Sequence, residues 1–168
     1  MLVNEGEFGL RKFFFFSAAV LCLFFSLLAE EDDSLKVRAS IDPKRLSRGE
    51  EGKITLRLKL KEGMAINPQP SFIIEFEPSE EIVFPKNFFT ASDLQIATVE
   101  ENGEEYLNLE EPIEIPFSVN LNAKRGNHVL KGQVKYFACC KVEGWCLKSR
   151  TSFSASFYTR SSVVKKKK

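Results

Sequence analysis

Three of the four cysteines in this 168-residue chain fall within eight residues, in Val134-Lys135-Tyr136-Phe137-Ala138-Cys139-Cys140-Lys141-Val142-Glu143-Gly144-Trp145-Cys146-Leu147. The stretch reads as a strand, a tight turn and the start of a returning strand. Two cysteines facing each other across such a hairpin can close a disulfide near the surface. A bridge there serves either as a staple or as a site of thiol–disulfide exchange.

Parity sorts the cysteines, because alternate side chains of a strand face opposite ways. Leu130, Val134, Tyr136 and Ala138 form an apolar set, which places Cys139 on the other face with Lys135 and Phe137, and Cys140 toward the core. On the return, Phe153, Ala155 and Phe157 form the core set, so Cys146 joins Ser152 and Ser154 on the outer face. Cys139 and Cys146 are the favoured pair, with Cys140 the rival to Cys139. A loop this short contributes about 2–3 kcal/mol as a staple, and exposed bridges exchange readily. Lys135, Lys141 and Lys148 favour a thiolate there, and Glu143 opposes one.

Export decides whether such a bridge persists. Arg11-Lys12 precedes an apolar run over residues 13–28, interrupted only by Ser17 and Ser26, and after Ala29 the chain turns acidic at Glu30-Glu31-Asp32-Asp33. A basic start, a short apolar core and a polar exit describe a signal peptide over residues 1–29, with Cys22 inside it. The run is shorter than the ~20 residues of a spanning helix; an uncleaved anchor is the alternative, and membrane contact is expected only in that case. The remaining chain is therefore expected in the periplasm or otherwise exported, where disulfides form and persist. Its three cysteines cannot all pair within the chain, so one stays free or finds an external partner.

The elements that must position the hairpin alternate with period two. Ile54, Leu56, Leu58 and Leu60 form one set, Phe72, Ile74 and Phe76 a second, and Ile113, Ile115, Phe117, Val119 and Leu121 the clearest. Pro116 lacks an amide donor, so its strand belongs at an edge or leaves that position unpaired. Further strands are expected over residues 37–41, 94–99, 106–109, 129–138 and 152–158. Turn signals separate them, among them Arg48-Gly49, Glu62-Gly63, Asn102-Gly103 and Arg125-Gly126. The pattern predicts an all-β fold, an immunoglobulin-like antiparallel β-sandwich forming a single domain over residues 30–160, with a basic tail over 161–168. Phe84, Phe88 and Phe89, around Pro85, are expected to pack at the edge of the core. A net charge of +1 gives no nucleic-acid footprint.

The hairpin residues carry a resemblance. Val134-Lys135-Tyr136-Phe137-Ala138-Cys139 followed by Gly144-Trp145-Cys146-Leu147 resembles the cysteine hairpin of the N-terminal periplasmic domain of the thiol:disulfide interchange protein DsbD, the disulfide bond corrector-like family. Glu62-Gly63-Met64-Ala65-Ile66-Asn67 and Pro112-Ile113-Glu114-Ile115-Pro116-Phe117 resemble its upstream segments. The family's spacing fits Cys140 to Cys146, whereas its tyrosine fits Cys139. Leu147-Lys148-Ser149 departs from its aromatic and proline residues. The resemblance implies an exchange module that passes reducing equivalents between thioredoxin-fold partners, fed by a separate membrane electron donor. Cys139 and Cys146 are then the catalytic pair, and a loop within residues 93–106 shields them.

Two other readings compete. One is a non-enzymatic exported β-sandwich binding module with a structural disulfide. The other is soft-metal binding by Cys139, Cys140 and Cys146 with His128 or Met64, which lacks a Cys-x-x-Cys clamp. No metal or other cofactor is expected, and His128 is read as a turn residue. With a single histidine and no Gly-rich phosphate loop, nothing supports hydrolase or nucleotide chemistry. Glu100, Glu101, Glu104 and Glu105 are read as a solvated loop.

Overall fold

The alternating segments become strands, and which face of each is apolar decides how they stack. A computed structural model describes residues 34–69 and 72–163. The expected signal peptide and the Lys165–Lys168 end lie outside the described residues. The chain divides into two units, Met1–Glu31 and Asp32–Lys168, and the second carries all the described elements.

In chain order the strands are β1 (Leu35–Asp42), β2 (Arg45–Arg48), β3 (Glu51–Leu60), β4 (Met64–Ile66), β5 (Ile73–Phe76) and β6 (Ile82–Val83). They continue with β7 (Phe88–Thr90), β8 (Thr98–Glu101), β9 (Glu104–Leu107), β10 (Ile113–Val119), β11 (Gly126–Cys140) and β12 (Cys146–Val163). One sheet has the order β1-β3-β10-β6; the other runs β2-β12-β11-β5-β7, with β4 also on β11. β8 and β9 form a separate hairpin. This is an immunoglobulin-like β-sandwich.

The inner faces supply the core. Ile54, Leu56 and Ile115 from one sheet and Ile74 and Val134 from the other are each fully buried, with Phe117, Leu130, Phe153 and Phe157 nearly so. Phe84 and Phe89 pack on Phe76, with ring centroids 4.0 and 6.1 Å away, while Phe88 is exposed. Pro116 lies opposite Lys53 of β3, and on its other side β6 reaches only Ser118 and Val119, so the missing donor interrupts no ladder.

Three features depart from the sequence reading. β2 runs parallel to β12, so the larger sheet is not wholly antiparallel. Residues 94–95 form a turn and 96–97 are irregular, so the expected 94–99 strand begins only at Thr98; Asp93 accepts from Thr90 N and Thr90 Oγ1, and Gln95 takes a φ of 52°. β12 runs on to Val163, into the segment read as a tail.

Candidate functional site

β11 and β12 are antiparallel from Gly126↔Thr159 to Cys139↔Cys146, so the two cysteines are directly opposed at the last rung. They are bonded, with an S–S distance of 2.01 Å and Cα atoms 4.0 Å apart. Cys140 is free and half-buried. Beyond the rung, Cys140 N donates to Trp145 O and Gly144 N to Cys140 O, each at 2.9 Å. Gly144 takes a φ of 70°, a left-handed turn conformation that glycine adopts without a Cβ penalty. Lys141 N donates to Gly63 O, which ties the turn to the chain entering β4.

The two sulfurs have unlike surroundings. Cys139 is 4% exposed and forms a small cluster with Ala65 and Tyr106, apart from the main core; Cys146 is exposed. Tyr106 arrives on the β8–β9 hairpin, whose Asn102-Gly103 turn has positive φ at both positions (54° and 82°), as a type I′ turn requires. Glu104 accepts from the Tyr106 hydroxyl and holds its pKa above the usual tyrosine value. Lys141 lies 5.3 Å from the centre of the Tyr106 ring and pairs with Glu101. The acidic residues read as a solvated loop thus form a hairpin over the bridge. Asn102-Gly103 signalled its turn; that this stretch lies near the bridge was expected only through the resemblance, which set a shielding loop within residues 93–106, and no residue pattern of its own pointed to Tyr106.

A cleft of about 440 Å³ lies beside the bridge, reaching all three cysteines. Glu101, Glu104 and Glu105 line it against a single ammonium, that of Lys141. Such a field disfavours a thiolate. Of the lysines expected to favour one, Lys141 is paired with Glu101 and Lys135 with Glu75. The metal set is not assembled. Two of its sulfurs are bonded to each other, and His128 stands at the far end of β11 against Lys124 O (2.8 Å). Among the described residues no group of three or more Cys, His, Asp or Glu is placed to hold a metal.

Comparison with known proteins corrects the family reading. No family model matches the chain, and no curated protein does. Among solved structures, it is similar to the cohesin module of a Clostridium perfringens family 33 glycoside hydrolase. There the identity is 9%, the coverage 76% of this chain and 97% of that one, and the TM-score 0.41. For the seventh ScaB type I cohesin of Pseudobacteroides cellulosolvens the values are 12%, 76%, 94% and 0.41. For the CooA pilin subunit of enterotoxigenic Escherichia coli they are 5%, 73%, 98% and 0.25.

With no family model and no curated protein matching the chain, the resemblance to the DsbD domain is withdrawn. With it go the redox-active centre, the electron-passing role of Cys139 and Cys146, the thioredoxin-fold partners and the membrane electron donor. The physical reason lies in the motif itself, whose residues each have a packing role. Tyr136 is 1% exposed, and its hydroxyl lies 3.0 Å from both Ser34 Oγ and Thr151 Oγ1. Ala138 fills the core and Gly144 makes the turn. A stapled hairpin on a sandwich needs these residue types with or without redox chemistry.

Proposed function

We propose that this chain is a non-enzymatic, exported β-sandwich binding module whose disulfide is structural. The observation that carries this reading is the placement of the bridge. It closes the last rung of the longest strand pair, with Cys139 buried beneath Tyr106, and so fixes a hairpin end that bears exposed apolar side chains: Val142 (86% exposed), Trp145 (39%) and Leu147 (60%). Fixing such an end in advance lowers the ordering cost of binding. The basic-apolar-acidic start of the chain supports export, since a lasting bridge needs an oxidising compartment.

Equilibrium unfolding of the oxidised protein against a Cys139→Ala/Cys146→Ala variant tests the staple. The variant is expected to lose about 2–3 kcal/mol, as for a loop this short. Unchanged stability contradicts the reading.

A further inference from the structure

One side of β12 is paired with β11 throughout residues 146–159, while β2 joins the other side only from Tyr158 onward. β1 approaches that side at Thr151, whose Oγ1 donates to Leu35 O at 3.2 Å. Among the described residues, residues 146–150 are thus an open sheet edge. Unpaired N–H and C=O groups on such an edge accept a further strand.

The side chains along this edge state what strand would fit. Lys148 and Arg150 are exposed on the outer face, and among the described residues no carboxylate is paired with either. Arg150 lies opposite Lys135, whose own charge is taken up by Glu75 at 2.6 Å. Between the two basic residues lies Ser149, and just before them the exposed Leu147, on the opposite face by parity. An incoming strand alternates in the same way. Its outer side chains meet Lys148 and Arg150, and its inner ones meet Leu147.

Resting on the binding-module reading, we propose that residues 146–150 receive an extended segment of a partner protein in which acidic residues alternate with apolar ones. A second copy of this edge does not fit, because it would set Lys148 and Arg150 against their own charges. Main-chain pairing supplies affinity, and the two cations fix which strand is accepted.

Trp145, the only tryptophan, adjoins the edge and reports on it. The test titrates the intact oxidised protein with a synthetic peptide of alternating glutamate and valine, about ten residues long, and follows Trp145 emission. A saturable change is expected, weakened about tenfold or more by Lys148→Glu/Arg150→Glu, a change at two exposed positions. A peptide N-methylated on every amide, which has no N–H donor left on either edge, should not bind. The proposal is overturned by no saturable change, by equal binding to the charge-reversed variant, or by equal binding of the N-methylated peptide. The staple is measured without peptide, so its failure is read separately.

Discussion

Tyr136 looked like part of a cysteine motif, yet its hydroxyl joins β11 to β12 through Thr151 and to the start of β1 through Ser34. Tyr136→Phe leaves the Ser34 hydroxyl without this partner in a buried site and should cost about 1–2 kcal/mol. Urea unfolding should show a lower midpoint with an unchanged slope. Gly132 is a second case in which packing dictates residue type. A Cβ there would lie 2.5 Å from Phe153 Cζ and 2.7 Å from the carbonyl oxygen of Glu75. The aromatic ring can shift but the backbone of β5 cannot do so cheaply, so Gly132→Ala should destabilise by about 1–3 kcal/mol in thermal or urea unfolding. Parity on β11 was legible because Leu130, Val134, Tyr136 and Ala138 recur at even positions while Lys131, Gln133 and Lys135 hold the odd ones, even though Phe137 breaks the polar alternation. The burial of Cys139 was not, since it depends on Tyr106, thirty-three positions away in sequence.

At the scale of elements, long strands were legible and most short ones were not, β5, marked by Phe72, Ile74 and Phe76, being an exception. β3, β10 and β11 present enough alternating positions to declare a face, whereas β2, β4, β6 and β7 have two to four residues each. β4 and β5 illustrate the difficulty: both pair with β11, at Ala138↔Ile66 and Lys135↔Ile73, as one strand interrupted after Asn67-Pro68. The turn after β7 was read as strand because Leu94 and Ile96 alternate; local hydrogen bonds to Asp93 override that pattern. These bonds have a pH signature. Lys86, and then the Thr90 amide and hydroxyl, hold the Asp93 carboxyl at a pKa of about 2, below its ordinary 3.8. Asp93 therefore takes up its proton less readily in the folded turn than in the open one. Its contribution is complete above pH 3.8 and is lost as the pH falls through about 2. The Thr90 amide resonance should move over that window in an NMR titration, and Asp93→Asn should abolish the movement.

Over the whole molecule, two sheets bury one apolar core, and a long pair of strands carries a hairpin end out to solvent. The fold class followed from alternation and turn spacing alone. The function did not, because a tyrosine, a glycine and two opposed cysteines are what a stapled hairpin requires in any role. What separates the roles is how firmly the bridge resists reduction. The carboxylates beside it and the burial of Cys139 disfavour the thiolate, and the rung it closes is already paired. The deciding measurement is the equilibrium reduction potential of the Cys139–Cys146 bridge in the intact protein. A structural staple predicts a value below about −300 mV; a value within the range of exchange proteins, about −120 to −270 mV, contradicts it.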